Sequence, residues 1–312
     1  MKKVLSFVLL LVVALSGVFL TSCGETSQAK MLVPNGITLI AVGGLYDNPD
    51  IKIENVDGPD NLQVELMKKN YDIIIAPLNL GAKLYNAGKS VYKLDAMITF
   101  GNVYIVSKGA ALDETLSSLA GKKIIAFGQN ATPGIVLRAA LKAKGVEADE
   151  IVYQNSVQEV VGLFTGENSE YDYALVAEPV LSQLTLKKKL SLIRVDLQEV
   201  LETEMEAIPQ AGVFVNSESK RRKIINQVLG ELKSNIQNLN QNPEEYAEKI
   251  VEYHEQFKAL SKEVITSAIQ NGNVIDYKKA KDNKDVLEKY FDLLISQNKN
   301  LLDKKPEESF YF

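Results

Sequence analysis

Three stretches of the sequence carry residue types that could hold a small molecule: Ala76-Pro77-Leu78-Asn79, Gly128-Gln129-Asn130-Ala131-Thr132-Pro133 and Ala177-Glu178-Pro179. In each, an apolar run gives way to a proline with small or polar neighbours, the pattern of a strand passing into a helix. A helix start leaves backbone N–H groups without partners, and these suit a carboxylate, a sulfonate or a nitrate-like oxyanion. Gly128 lacks a Cβ, so a ligand could approach the backbone there. The same residues also serve as caps: Asn79 and Thr132 are good N-caps, and Glu178 can cap the helix that follows Pro179. No Lys or Arg lies in the three loops. Lys83 and Arg138 fall one or two turns inside their helices, where such side chains are normally solvated. The chemistry expected is that of a small polar or singly charged solute, not a polyphosphate. Tyr46, Phe100 and Tyr104 either give that solute a flat apolar wall or belong to the core.

Other chemistries are excluded by composition. The chain has 312 residues with one Cys and one His. A zinc site built from Cys and His needs three or four such ligands, so no metal site is expected, and no internal disulfide can form. A Cys–His catalytic pair would have to use Cys23 with His254, and His254 lies in the charged amphipathic stretch Pro243–Phe257, far in sequence from the three loops. The formal net charge is −5, which gives no broad attraction to nucleic acid. With 46% hydrophobic and 24% charged residues the chain is globular, and its length fits two domains at roughly 150 residues each.

The elements that must position the loops alternate between strand and helix. Apolar runs at Ile37–Val42, Ile51–Val56, Ile73–Ala76, Met97–Phe100, Val103–Ser107, Ile124–Phe127, Ile151–Gln154, Tyr173–Ala177, Leu192–Val195 and Val213–Val215 predict strands. Helices are predicted over Leu62–Lys69, from Asn79 to Gly88, from Thr132 to Gly145, over Val157–Phe164 and after Glu178-Pro179, with charged helices from Ser217 onward. This order implies doubly wound α/β sheets. Lys69–Pro77 (KNYDIIIAP) echoes Ser169–Pro179 (SEYDYALVAEP), which implies two similar lobes. Before them stand Lys2, Lys3 and an apolar run of 17 residues from Val4 to Leu20, then Thr21-Ser22-Cys23, the layout of a secretory signal.

That start resembles a bacterial lipoprotein signal peptide (residues 1–22), in which Leu and two small residues precede an acylated Cys, here Cys23. Two acyl chains suffice for stable membrane anchoring. Residues 23–35 are then the lipidated Cys and a tether. From Ile37 to Phe312 the chain resembles the substrate-binding lipoproteins of ABC importers, in the group for nitrate, sulfonates, taurine and thiamine-pyrimidine precursors. The resemblance is carried by Ile73–Gly88, Thr99–Gly109, Ser118–Leu141, Ala174–Gln183, Ile208–Asn216 and the terminal PEESFYF. It implies the type II periplasmic-binding-protein fold: two doubly wound α/β lobes joined by two crossing strands, with a helical C-terminal region. Lobe one would hold residues 36–105 and 215–312, and lobe two residues 106–214, with the crossings near Tyr104–Lys108 and Gly212–Asn216. It also implies a solute held between the lobes by Leu78, Asn79, Phe100, Gly101, Asn102, Gln129, Asn130, Ala131, Thr132, Glu178 and Gln210, with hinge closure over it.

The sequence departs from that family twice. Only eight residues, Gly43–Asp50, separate the first two predicted strands, fewer than a parallel crossover needs. The loop that usually reads Gly-Lys-Gly is Gly128-Gln129-Asn130, and Gly134 stands where an acid usually follows. The expectation is a monomeric, non-enzymatic, cofactor-free lipoprotein on the outer face of the cytoplasmic membrane, serving a permease and an ATPase and binding no nucleic acid. Two other functions use the same features: a surface protein or sensor that keeps the fold without transport, and a thiamine-pyrimidine-synthase-like enzyme. The terminal Phe310-Tyr311-Phe312 is too apolar for a solvated tail and is expected to pack back onto lobe one.

Overall fold

The computed structural model describes residues 28–312, apart from residues 204, 272 and 273. The signal-like segment 1–22 and Cys23 lie outside the described residues. Among the described residues, no helix is long and apolar enough to cross a membrane.

Two sheets form the frame. The first contains β1 (Ala29–Pro34), β2 (Ile51–Val56), β3 (Ile73–Pro77), β4 (Tyr92–Phe100), β10 (Pro209–Asn216) and β11 (Ile275–Lys279), in the order β11-β4-β10-β3-β1-β2. The second contains β5 (Tyr104–Ser107), β6 (Lys123–Phe127), β7 (Glu150–Gln154), β8 (Tyr173–Val176) and β9 (Ile193–Asp196), in the order β7-β6-β8-β5-β9. In the first sheet β1 runs parallel to β2 and β3, while β10 runs antiparallel to β3 and β4. In the second, β6 is parallel to β7 and β8, while β5 is antiparallel to β8 and β9. The two sheets thus repeat one arrangement, each with a reversed strand between its third and fourth. β3 and β8, the strands of the sequence echo, occupy the same place in it.

Burial explains why the central parallel strands β3, β6 and β8 read as nearly continuous apolar runs. Side chains still alternate between faces: Ile73 and Ile75 pack into one cluster of the core, Ile74 and Ala76 into another. The cluster holding Ile74 also holds Ile105, Ile124 and Ala126 of the second sheet, so one apolar core runs through both lobes.

The first predicted strand is wrong. Ile37–Val42 is a helix, α1, with all six residues buried. Periodicity cannot separate a short buried helix from a buried strand, because both read as continuous apolar residues. The true first strand, β1, lies in the segment expected to be tether, so the fold begins at Ala29, not near Gly36. This also removes the short-crossover problem. The connection from β1 to β2 contains α1 and a 3₁₀ turn at Gly43–Leu45, and β1 and β2 pair in parallel over six residues. β11 was also missed, and pairs antiparallel with β4.

The remaining helices cover the sheets: α2 (Pro59–Lys68), α3 (Leu78–Asn86), α4 (Thr132–Ala143), α5 (Val157–Thr165), α6 (Val180–Ser182), α7 (Leu197–Val200), α8 (Arg222–Gln241), α9 (Pro243–Ile250), α10 (Glu255–Leu260), α11 (Lys262–Gln270) and α12 (Lys284–Gln297). The chain leaves the first sheet through Gly101–Val103 and returns through residues 201–208. Both passages come just before β5 and β10. The crossing strands themselves belong to the sheets they enter, since each pairs along its length with two neighbours there.

The terminal aromatic residues do pack back. Phe310 is fully buried against Tyr85, Phe214, Phe291 and Tyr311, and the Phe312 N–H donates to Leu94 O at 2.8 Å. Phe310→Ala should cost roughly 3–5 kcal/mol, read as a drop in urea midpoint. Deleting Phe310–Phe312 should cost at least as much.

Asp196 ends β9 and caps α7, accepting from Gln198 N–H at 2.8 Å. Burial pushes its carboxyl up to about 6, with the Glu199 charge adding to this and Arg194 opposing it. An unfolded Asp titrates near pH ~4. Between there and about 6 the folded state binds more protons, so stability falls as pH rises through that window. Asp196→Asn keeps the cap and removes the charge. It should flatten this slope in calorimetric melting temperatures and leave the protein more stable than wild type at neutral pH.

Candidate functional site

A cavity of about 620 Å³ opens between the two sheets. Its walls come from equivalent loops of the two lobes. In lobe one these are the β1–α1 loop (Asn35 to Thr38), the β2–α2 loop (Asp57, Gly58) and Pro77 at the end of β3. In lobe two they are the β6–α4 loop (Ala131, Thr132, Pro133), the β7–α5 loop (Ser156, Val157, Gln158) and the β8–α6 loop (Ala177 to Val180). All six lie at the carboxyl ends of parallel strands, where open α/β sheets place their ligands. Thr99, Asn102, Gln210 and Ala211 contribute from beside the passages, and Gln256 from α10.

Five of the residues expected to bind a solute line this cavity: Asn102, Ala131, Thr132, Glu178 and Gln210. The other six do not. Leu78 is buried among core residues. Phe100 is buried there too, with the Lys278 ammonium 5.1 Å from its ring centre. Asn79 begins α3 without capping it; Pro77 holds the cap position. Gly101 O accepts from Gln210 Nε2. Gln129 and Asn130 are exposed, and Gln129 O accepts from Arg138 at 3.0 Å. Of the two readings of the aromatics, core or wall, the core one holds: Tyr104 is buried in the core, and Tyr46 lies tilted or edge-on against His254 and Phe257. Phe127 lines the cavity instead. His254 caps α10, its Nδ1 accepting from Gln256 N–H at 3.3 Å.

Two expected contacts turn out to join the lobes. Thr132 was predicted to cap α4, but Ala131 holds that position, and Thr132 Oγ1 lies 2.8 Å from Tyr290 Oη on α12. Glu178 Oε1 accepts from Asn271 Nδ2 at 2.7 Å, just past α11, and its Oε2 accepts from Ser182 N–H at 3.0 Å. Ser182 Oγ in turn lies 2.8 Å from Ser267 Oγ. Asn102 holds Glu178 from the other side, its Oδ1 accepting the Glu178 N–H at 2.6 Å. Burial pushes the Glu178 carboxyl up, and the bonds from Asn271 and Ser182 pull against it.

No family profile and no curated protein matches the sequence. Solved structures do. An ABC transporter from Parabacteroides distasonis superposes with a TM-score of 0.75 at 23% identity, over 92% of this chain and 99% of that one. The periplasmic aliphatic sulphonate binding protein SsuA from Escherichia coli gives 0.70 at 14% identity, over 92% of both chains. The ligand-binding component of an ABC-type import system from Staphylococcus aureus, with zinc bound, gives 0.69 at 14% identity over 92% of this chain and 97% of that one. The fold is that of the periplasmic binding proteins. Among the described residues of this chain, no group of three His, Cys, Asp or Glu could hold a metal.

Within the binding-protein fold, sequence reasoning missed the β1–α1, β2–α2 and β7–α5 loops. The first was hidden by reading α1 as a strand. The other two carried usable signals: Gly58-Pro59 before a helical run, and Ser156 followed three residues later by Glu159, a capping box. Half of that box forms: Ser156 Oγ accepts the Glu159 N–H at 3.2 Å, while Glu159 Oε2 accepts from Asn155 N–H, not from Ser156. Asn271→Ala would leave Glu178 Oε1 without its amide across the cleft. It should cost about 1–3 kcal/mol of stability in urea titrations and enlarge the radius of gyration in X-ray scattering. An unchanged radius would mean that this bond does not hold the lobes together.

Proposed function

We propose that this chain is the extracytoplasmic solute-binding subunit of an ABC importer. It is anchored through acylated Cys23, captures a small polar solute between its lobes and passes it to a membrane permease driven by an ATPase. The observation that carries this reading is the cavity built from matching strand ends of both lobes. A solute bridging the two walls has a higher affinity for the closed arrangement than for an open one, and closure follows from that difference. The closed pair then presents one composite surface to a permease. Asn102, Ala131, Thr132, Glu178 and Gln210 are assigned as contact residues, with Thr38, Asp57, Gln158, Gln183 and Gln256 added by position. His254 is engaged in a cap and an aromatic contact, which supports a binding role over the enzyme alternative.

Two experiments test the reading. A thermal-shift panel on the full chain in detergent would include taurine, alkyl sulfonates, nitrate, aminopyrimidines and amino acids. A bound member at 100 times its dissociation constant should stabilise by about 2.7 kcal/mol, a rise of several degrees. Silence from the whole panel would count against capture. In cells, Cys23→Ser should abolish incorporation of labelled palmitate and move the protein out of the membrane fraction.

A further inference from the structure

The capture reading can be narrowed by what the cavity offers a solute, and the following rests on that reading. Two of the three junctions expected to present free N–H groups are partly closed by the chain itself, which leaves the N–H groups of Thr132 and Val180. At α4, Gly128 O accepts from Ala131 N–H at 2.9 Å and from Gly134 N–H at 3.1 Å, and Pro133 has no N–H to give. At α6, Glu178 Oε2 already takes the Ser182 N–H at 3.0 Å, and Ala177 O takes the Leu181 N–H at 3.1 Å. A carboxylate of the protein stands where an oxyanion would have sat.

Beside those two N–H groups, the side chains offer the cavity amide and carboxylate chemistry. The side chains of Gln158, Gln183 and Gln256 line it and make no hydrogen bond to any described residue, so each has both a donor and an acceptor to offer. Among the described residues no Lys, Arg or His lines it, and the ionisable lining residues are Asp57 and Glu178. Each Glu178 oxygen accepts one bond in the structure and has room for a second. The remaining wall is apolar, with Ile37, Leu62, Phe127, Val157 and Leu260. An anion entering here would face two acidic groups with no cation in the lining to offset them, while Arg194 acts on Glu178 from outside it. An N–H or O–H donor would meet waiting acceptors, and a single positive charge would be offset.

We propose that the cavity selects an organic solute that is uncharged or singly positive, with N–H or O–H donors on a partly apolar body, and that it rejects sulfonates, carboxylates and nitrate. The test is calorimetric titration of the full chain in detergent with benzylamine, benzamide, benzoate and benzenesulfonate, which share one ring, and with cytosine and nitrate. At least one of benzylamine, benzamide and cytosine should bind about tenfold or more tighter than every anion. Asp57 is exposed and among the described residues its carboxylate accepts only from Asn35 Nδ2, so Asp57→Lys should lower the melting temperature by no more than about a degree or two. It should weaken benzylamine about tenfold while benzamide stays within about twofold. An anion that binds as tightly as its uncharged counterpart would overturn the charge assignment and leave capture standing. Silence from these probes and from the wider thermal-shift panel would remove the capture reading itself, and this inference with it.

Discussion

β10 lies between β3 and β4 and hydrogen-bonds to both, and β5 does the same between β8 and β9. Each strand has just arrived from the other lobe. Without β10 the first sheet would separate into two pieces, and without β5 so would the second, because no other strand satisfies the facing backbone groups. The lobes are therefore not two beads on a string. Each is completed by chain that has passed through the other, and both passages lie next to the cleft. That places Thr99, Asn102, Gln210 and Ala211 where a solute between the sheets would meet them.

The repeated arrangement has a chemical consequence. A cavity at one set of strand ends would offer loops from one side only. Two similar lobes facing one another supply six loops, and the polar groups in them need not match. Lobe one contributes Asn35, Thr38 and Asp57; lobe two contributes Thr132, Gln158 and Glu178. The fold sets where polar groups can be placed, and the loop residues decide which solute they fit. Solved structures with this fold include a sulphonate binding protein, yet among the described residues the present cavity has no basic side chain in its lining.

Contacts that hold the lobes also involve the lining. Glu178 and Thr132 line the cavity and bond across to Asn271 and Tyr290. A side chain shared in this way links solute binding to lobe position, because a solute that draws on Glu178 competes with or reinforces the bond to Asn271. The apolar core common to both lobes limits the motion on the α4–α12 side, where Tyr290 is buried beside Phe291. Opening is then expected on the side away from that core.

Much was legible from the residues alone. Nine of the ten predicted strands hold, because buried β-branched runs bounded by turn residues have few other uses. The echo between Lys69–Pro77 and Ser169–Pro179 correctly announced two strands in equivalent places. Helix ends were also readable, as at Gly88 and Gly145, both of which take positive φ after their helices. What the sequence could not decide was which way each end residue faces. Leu78 and Asn79 sit at a strand end like Glu178 does, yet they miss the cavity, since orientation depends on packing against strands distant in the chain. Ile37–Val42 shows the same limit at the level of the element: six apolar residues fit a buried helix or a buried strand, and only its packing against α8 and β4 settles which. The amino-acid sequence determined the alternation, the two lobes and the strand-end loops, because these follow from local periodicity and turn chemistry. The tertiary structure decided which of those loops meet, because that depends on contacts between residues more than a hundred positions apart, such as Thr132 with Tyr290.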